Sequence, residues 1–442
     1  MLLRIHICVA LLLLAMPIVA DAAERINLDV SLAKGTLSAD TKQLAYLKVG
    51  LTGFELPSKE DRAPVNVAIV LDKSGSMNGK KIEQAKKAAV AAIDRLNEND
   101  IVSIVAYADH VEVIVPATKL TDKPAIRDAI SQINAGGSTA LFAGVSNGAA
   151  EVRKFLDQKY VNRVILLSDG KANVGPNSPS ELGDLGESLL KESISVSTMG
   201  LGLGYNEDLM SQLAEASNGN HMFIEQADEL IAIFNEEFND VLSVVAQEVS
   251  LNITLADNVR PVRALGREAE IVGQQATVNI NQIYAGQEKY ALLEVEMPPK
   301  PDGSKMHVAS VSVSYANMHT NENDELSGSV DVSFSNDEEL VDASLNKKVM
   351  TICVLQVANE NNRRATWLRD KGRVQEAKQV LFSNSAYIGE NNRFLGSDLL
   401  ELRCQDNYIQ AEQIDVDWTK VKKIMRQKQN EDVQQQRIIR RR

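Results

Sequence analysis

The spacing of the apolar residues changes twice along the chain, and this change constrains the fold more than any other feature. Residues 24–56 alternate apolar with polar side chains, and the same alternation returns between residues 249 and 334. Between these regions, short runs such as residues 67–71 are apolar at every position and are separated by segments with helical spacing. Period two predicts half-buried antiparallel strands, whereas continuous runs that alternate with helices predict a parallel sheet covered on both faces.

The two alternating regions are expected to belong to one domain, because two strands alone do not form a stable sheet. We predict a β-sandwich built from residues 24–63 and 247–335. An α/β domain over residues 64–246, with a doubly wound and mostly parallel sheet, is predicted to be inserted between its strands. Its last helix is expected to cover residues 229–245.

The chain is expected to end in a helical region. Residues 336–390 carry an apolar helical stripe and are predicted to form a hairpin broken at Gly372. Residues 391–442 form a polar, basic segment that ends in three arginines. We expect a solvated helix there with a frayed end, and contact with an anionic surface is the alternative.

The first residues have the three-part layout of a secretory signal peptide. Arg4 precedes an apolar run at residues 7–20, and the small residues Ala20 and Ala22 have the spacing of a cleavage site. Cleavage after Ala22 would place the protein in the periplasm or outside the cell. The run is shorter than the ~20 residues needed to span a bilayer, and no transmembrane segment is expected in the mature chain.

The mature chain would keep two cysteines, because Cys8 is removed with the signal peptide. Cys353 and Cys404 could pair in an oxidising compartment. Cys353 could equally be a buried thiol on an apolar helical face, and the sequence leaves both alternatives open.

Composition and motif spacing argue against several classes of function. The net charge of -13 disfavours nucleic-acid binding, because phosphates would be repelled. The glycines before Lys80 are one residue too close for a phosphate-binding loop. The sequence contains no His-Glu-x-x-His motif, and its Gly-x-Ser-x-Gly pattern at residues 144–148 lies inside a predicted helix and not at the end of a strand, where a nucleophile elbow forms. The chain is therefore predicted to be non-catalytic.

Three short motifs follow predicted strands or open a predicted helix. Residues 72–76 read Asp-Lys-Ser-Gly-Ser, residues 136–140 read Gly-Gly-Ser-Thr-Ala, and residues 168–170 read Ser-Asp-Gly. Ligands of open α/β sheets bind beyond the carboxyl ends of the strands, so we expect the three motifs to converge on one crevice.

The polar side chains of these motifs are suited to a hard metal ion. They supply two carboxylates and three hydroxyls and no Cys or His, and they are Asp72, Ser74, Ser76, Thr139 and Asp169. Oxygen ligation of this kind selects Mg²⁺, Mn²⁺ or Ca²⁺, of which we expect Mg²⁺. Because hydroxyls are weak donors, the ion would stay electrophilic and keep a position for an outside carboxylate.

These five residues resemble the metal-ion-dependent adhesion site of von Willebrand factor type A domains, and all five motif positions match over a region of about residues 64–245. The resemblance implies that Asp72, Ser74 and Ser76 bind the metal directly or through water. It also implies that Thr139 binds directly once a ligand is present and that Asp169 acts through water. The wider layout is similar to exported bacterial proteins with this domain and to the core of inter-alpha-trypsin inhibitor heavy chains.

The resemblance implies metal-dependent, adhesion-type binding of a protein partner that presents an Asp or Glu. Loops at residues 106–111 and 170–179 are expected to set specificity. One alternative is a structural or assembly module of the cell envelope in which the metal only stabilises the fold. A metal-assisted hydrolase is the weaker alternative, because no general base is evident near the motifs.

Overall fold

The structure is a computed structural model that describes residues 24–56, 58 and 61–436. The predicted signal peptide, Cys8 and the terminal arginines at 440–442 lie outside these residues. Within the described ranges, no helix is both long enough and apolar enough to span a membrane.

The strands fall into three sheets. In chain order they are β1 Asn27–Leu32, β2 Thr36–Ser38, β3 Gln43–Thr52, β4 Val65–Asp72, β5 Ile101–Tyr107, β6 Val111–Lys119, β7 Val161–Ser168, β8 Ser195–Leu201, β9 His221–Ile224, β10 Val244–Leu255, β11 Arg260–Ala264, β12 Glu270–Val272, β13 Gln275–Tyr284, β14 Glu288–Met297, β15 Lys305–Asn317 and β16 Glu322–Ser335. The helices are α1 Lys80–Arg95, α2 Lys123–Ser131, α3 Leu141–Arg153, α4 Pro179–Leu190, α5 Glu207–Ala216, α6 Leu230–Val241, α7 Glu338–Ala343, α8 Lys347–Asp370, α9 Val374–Leu395, α10 Asp398–Gln413 and α11 Trp418–Gln434.

The central sheet belongs to the α/β domain and has the strand order β6-β5-β4-β7-β8-β9. Strands β5, β4, β7, β8 and β9 run parallel, and β6 pairs antiparallel with β5. Every residue of β4 and of β7 is buried, as their continuous apolar runs predict for strands covered on both faces. The predicted doubly wound, mostly parallel sheet is confirmed.

The sandwich combines strands from both sides of this insertion. One sheet has the order β1-β3-β14-β11, and the other has the order β12-β13-β10-β15-β16-β2. The early strand β3 pairs antiparallel with the late strand β14 over ten residues. The predicted insertion of the α/β domain into a β-sandwich is confirmed.

The helix predicted for residues 229–245 is shorter in the structure, where α6 ends at Val241 and β10 begins at Val244. Val244 joins the core of the α/β domain, whereas Val245 joins the core of the sandwich. Adjacent side chains of a strand point to opposite faces, so only a strand can place these two valines in two different cores.

A buried arginine connects the two domains. Arg163 on β7 is fully buried and donates hydrogen bonds to Ser197 Oγ at 2.8 Å and to Glu237 Oε1 at 3.2 Å, both in the α/β domain. It also donates to Tyr284 OH at 3.0 Å and to the side-chain oxygen of Gln282, both on sandwich strand β13. The Arg163 guanidinium therefore holds the α/β domain and the sandwich together through hydrogen bonds to both.

The C-terminal region is more extensive than a hairpin, because α10 and α11 follow α9. The prediction that residues 416–442 include a solvated helix is wrong for α11. Lys423 is 1% exposed and donates to Tyr205 O at 2.9 Å, and Lys422 pairs with Asp208 at 2.6 Å. Lys422, Lys423 and Arg426 of α11 pair with Glu207 and Asp208 at the start of α5, which the sequence pattern could not show.

Helix α11 also covers the open edge of the central sheet. The backbone N–H of His221 donates to Asn430 Oδ1 at 2.9 Å, and that of Phe223 donates to Gln427 Oε1 at 3.0 Å. Both donors lie on β9, the edge strand, beyond which the described residues supply no further strand of this sheet. Side-chain amide oxygens of α11 thus accept the hydrogen bonds that a neighbouring strand would otherwise accept from β9.

The end of α11 also contacts the sandwich, where β14 extends beyond its neighbour β11. Tyr290 on β14 donates its N–H to Gln435 Oε1 at 2.7 Å and accepts a bond from Gln435 Nε2 at 2.8 Å. The buried ammonium of Lys289 contacts the carbonyl oxygens of Gln434 and Gln435, where the helix dipole favours a positive charge. One helix therefore covers the edge strand of the central sheet and a stretch of β14 that β11 leaves unpaired.

Cys353 and Cys404 are free thiols in the structure. Cys353 is buried in α8, and burial raises the pKa of its thiol to about 12. Cys404 on α10 contacts Ser385 O at 3.3 Å instead of another sulfur. Of the two alternatives that the sequence leaves open, the structure has the unpaired thiols.

Candidate metal site

The five predicted ligands are placed at one edge of the central sheet. Asp72 is the last residue of β4, and Ser74 precedes a 3-10 turn over Gly75–Met77 that contains Ser76. Thr139 lies just before α3, and Asp169 directly follows β7. Since β4 and β7 are parallel neighbours, their carboxyl ends bring the first and third motifs together.

The first carboxylate is buried and held from two sides. Ser74 N donates to Asp72 Oδ1 at 2.8 Å, and Ser168 Oγ donates to Asp72 Oδ2 at 2.6 Å. Burial raises the pKa of Asp72, an effect that these bonds oppose and that the negative charge of Asp169 reinforces. The site therefore places a buried carboxylate where a positive charge would stabilise it.

Two serine hydroxyls connect the first loop to the second carboxylate. Ser74 Oγ lies 3.1 Å from Ser76 Oγ, and Ser76 Oγ donates to Asp169 Oδ1 at 2.6 Å. The other oxygen, Asp169 Oδ2, contacts the ammonium of Lys81 at the start of α1. Asp169 is 1% exposed, so both of its oxygens interact inside the protein.

The threonine hydroxyl reaches the same space. A Cβ atom added to Gly170 would lie 2.9 Å from Thr139 Oγ1 and 3.5 Å from Ser76 Oγ, so both hydroxyls border Gly170. Thr139 is 4% exposed, and its backbone N–H donates to Asn173 Oδ1 at 2.8 Å. Because Gly170 has no side chain, the hydroxyls of Ser76 and Thr139 can both lie next to it, beside Asp169.

Backbone hydrogen bonds fix the relative position of the first two loops. Gly75 N donates to Gly137 O at 2.9 Å, and Gly136 N donates to Lys73 O at 2.6 Å. Asp109, in the short turn between β5 and β6, accepts a bond from Ser138 N at 2.8 Å. The crevice is thus built by a rigid network before any ligand arrives.

A tyrosine lies beneath the site. Tyr107 is fully buried at the end of β5, and its hydroxyl has no hydrogen-bond partner among the described residues. Burial, together with the charges of Asp72 and Asp169, raises the pKa of Tyr107 well above its usual value. The Tyr107 side chain therefore stays neutral and adds no charge beneath the two carboxylates.

The donor set fits a hard divalent cation. Two buried carboxylates and three hydroxyl oxygens meet in one crevice, and Asp169 already attracts the ammonium of Lys81. Oxygen donors of this kind match Mg²⁺, Mn²⁺ or Ca²⁺. In the described parts of the chain, no group of three or more His, Cys, Asp and Glu is arranged to hold a metal in another way.

The structure adds residues that the sequence did not single out for the site. Ser168 and Asn173 position Asp72 and Thr139, and Lys81 contacts Asp169. Ser168 could have been noticed because it ends a strand next to a predicted ligand. Lys81 could not, because its partner lies 88 residues away along the chain.

Comparisons with known proteins agree with this architecture. Residues 66–236 match the family model of the von Willebrand factor type A domain. An uncharacterized protein of Synechocystis is 28% identical over 264 residues, which cover 58% of this chain and 62% of that protein. Human inter-alpha-trypsin inhibitor heavy chain H3 is 26% identical over 247 residues, covering 52% of this chain and 28% of that protein. The matches therefore span less than two thirds of the length of either relative.

A solved structure resembles almost the whole chain. The structure described as von Willebrand factor type A from Catenulispora acidiphila has a TM-score of 0.71 at 15% identity and covers 95% of this chain and 99% of its own. At this identity the likeness concerns the fold alone, and it includes the sandwich and the C-terminal helices. Residues 66–236, which match the family model, form the α/β part of this fold.

Proposed function

We propose that this protein is an exported, non-catalytic binding protein that grips an acidic side chain of a partner protein through a divalent metal ion. The observation that carries the proposal is the convergence of two buried carboxylates and three hydroxyls at the carboxyl edge of the central sheet. Type A domains typically mediate adhesion between proteins, which agrees with a binding role. The signal-peptide pattern of residues 1–22 supports export.

The residues that would hold the metal are Asp72, Ser74, Ser76, Thr139 and Asp169. A divalent cation would supply a Lewis-acidic position for one oxygen of a partner carboxylate. Asp72 and Asp169 would neutralise much of its charge, whereas the hydroxyl ligands are neutral. Mg²⁺ is the preferred ion, with Mn²⁺ and Ca²⁺ as the other hard cations that the donors fit.

The surroundings of the crevice suit a protein ligand. Its rim is formed by residues 108–110 between β5 and β6 and by residues 170–178 before α4. In the second segment, Val174 is 37% exposed and is one of the larger apolar side chains open to solvent. Exposed loops around a rigid site can contact the residues on either side of a partner's Asp or Glu and so determine which partner binds.

A second candidate function is a structural or assembly role in which the metal only stabilises the fold. It is favoured by exposed aromatic and aliphatic side chains on the C-terminal helices and the turn before α11, namely Trp367, Phe394, Tyr408, Ile409 and Val416. Exposed apolar side chains at these helices would suit an assembly contact. Under this alternative the crevice would not touch the partner.

The metal site is tested by titrating Mn²⁺ and Mg²⁺ into the protein while the heat of binding and thermal unfolding are followed. At 100 times the dissociation constant, bound metal should stabilise the fold by about 2.7 kcal/mol. Asp72→Asn should abolish this stabilisation. Asp94→Asn is the matched control, because it removes the same charge from an exposed carboxylate of α1 that pairs with Arg127 instead of the ligand set. Wild-type protein that binds neither ion would refute the proposal.

The two candidate functions are separated at Thr139. Immobilised protein would be exposed to an extract of the native envelope in Mg²⁺ and then eluted with a chelator. Metal-dependent binding predicts that Thr139→Ala loses the eluted partner while remaining folded and that Thr139→Ser, which keeps the hydroxyl, retains it. If Thr139→Ala retains the partner as well as wild type, the assembly role is the better interpretation.

A further inference from the structure

Lys81 is the cation that the described structure places against the metal-binding residues. Its ammonium contacts Asp169 Oδ2, while Asp169 Oδ1 accepts the hydrogen bond from Ser76. The Lys81 side chain is 35% exposed, whereas that of Asp169 is fully buried. Among the described residues, no other ion pair reaches Asp169 or Asp72.

Two neighbouring lysines, Lys73 and Lys80, have partners elsewhere. Lys73 pairs with Glu112 at 2.7 Å, and Lys80 pairs with Asp228 on the surface. Lys80 precedes Lys81 directly, yet its side chain is 65% exposed and points to a different carboxylate. The contact with Asp169 is therefore specific to one position of α1 and does not follow from a general excess of lysines.

The loop between β8 and α5 encloses this contact. A Cβ atom on Gly202 would lie 3.9 Å from Lys81 Nζ, and one on Gly204 would lie 2.8 Å from Asp169 O. The glycines let the loop approach both partners closely. Lys81 thus lies between the second carboxylate and a loop that leaves space for its ammonium.

We propose that Lys81 is a built-in counter-cation that competes with the metal for Asp169 and makes the bound metal more attractive to a partner carboxylate. This inference rests on the proposed function. Without metal, Lys81 offsets one of the two buried negative charges and stabilises the empty crevice. With a divalent ion, the same lysine leaves the site with one net positive charge instead of none. Lys81 therefore weakens metal affinity and strengthens attraction for an anionic ligand.

The inference is tested by calorimetric titration of Mn²⁺ alone into wild type, Lys81→Met and Lys80→Met. Removing the competing charge should tighten Mn²⁺ binding by Lys81→Met about tenfold, and it should lower the melting temperature of the metal-free protein. Lys80→Met is the matched control, since it removes the same charge from the neighbouring residue, and its Mn²⁺ affinity should stay within about twofold of wild type. Lys81→Arg keeps the charge and should retain the wild-type affinity.

Specific outcomes separate this inference from the proposed function. If wild type binds Mn²⁺ and Lys81→Met binds it equally or more weakly, only the role of Lys81 is overturned. That role is also overturned if Lys80→Met tightens binding as much as Lys81→Met, because the effect would then be general surface charge. If no variant binds Mn²⁺, the proposed function fails and this inference fails with it. Should Lys81→Met be unfolded by circular dichroism, Lys81→Gln replaces it, since the amide can still donate to Asp169 without a charge.

Discussion

His221 is held as a neutral imidazole in the core of the type A domain. The hydroxyl of Thr198 donates to Met210 O at 3.0 Å, so it can only accept from His221 Nδ1, which lies 2.9 Å away. The proton must therefore be on Nδ1, and Nε2, 3.5 Å from the Tyr205 hydroxyl, is left as an acceptor. Both ring nitrogens thus face hydroxyl groups, and neither faces a carboxylate that would stabilise a second proton.

Burial, with the nearby positive charges of Lys423 and Arg426, lowers the pKa of His221 from 6.5 to about 3. The unfolded chain thus binds a proton below pH 6.5 that the folded chain rejects. Stability is complete above pH 6.5 and is lost as the pH falls, by about 1.36 kcal/mol per pH unit, until the pH approaches 3. At pH 4.5 the loss relative to neutral pH should reach about 2.7 kcal/mol.

The prediction is that His221→Gln flattens this dependence. At pH 7.5 the variant should be less stable than wild type by about 1–3 kcal/mol, because a buried hydrogen bond is lost. This difference should shrink by about 2.7 kcal/mol at pH 4.5, so that the two proteins become similar or change order. Other groups titrate in the same range, and only the difference between the two proteins isolates His221.

The measurement is urea unfolding from pH 7.5 to 4.5, followed by circular dichroism and by tryptophan fluorescence. The chain has two tryptophans, Trp367 and Trp418, and both lie in the C-terminal helices. Thr198→Val is the control, since it weakens the contact but keeps the titrating ring and should retain the wild-type slope. Parallel pH profiles for wild type and His221→Gln would refute the reasoning.

Two further substitutions test the site and the domain junction. Gly170→Ala would place a Cβ atom 2.9 Å from Thr139 Oγ1 and should weaken Mn²⁺ binding about tenfold or more in calorimetry. Gly136→Ala is the control and should keep the wild-type affinity, because its Cβ atom would have no other atom within 4 Å. Equal affinities of the two variants would contradict the described crevice. Arg163→Met should lower the free energy of unfolding in urea by about 3–5 kcal/mol, because it leaves Glu237 buried without its cation. Adding Glu237→Gln should recover part of this lost stability. If the two losses of stability are additive, the pair is not coupled.

Much of the fold could be predicted because the apolar spacing reports burial directly. The buried runs at β4 and β7 and the alternation in β3 and β14 have distinct periods, and only an inserted α/β domain accommodates both. Some edge strands of the sheets were less visible in the sequence. Strand β9 has four residues and the short strands β2 and β12 have three each, which is too few to establish a period.

The candidate site was predictable for a related reason. Four of its residues lie at or just after the ends of β4 and β7, and Thr139 lies just before a helix. The carboxyl ends of neighbouring parallel strands meet in space. The contact of Lys81 with Asp169 was not predictable, because it depends on side-chain direction across distant segments. Helix α11 was misjudged for the same reason, since its basic residues look solvent-exposed until the acidic start of α5 is placed beside them.

The side-chain amides of α11 that cover the edge strand β9 have a consequence for the order of events in biosynthesis. Strand β9 ends at Ile224, and α11 begins at Trp418, about 190 residues later. At about 5–20 residues per second, the ribosome needs about 10–40 s to make this stretch. During that interval the N–H groups of β9 lack the cap that α11 supplies, and an uncapped strand edge is a template for pairing with another chain. A nascent or truncated chain lacking α11 is thus exposed to self-association, and a chaperone that shields this edge until α11 docks would protect it.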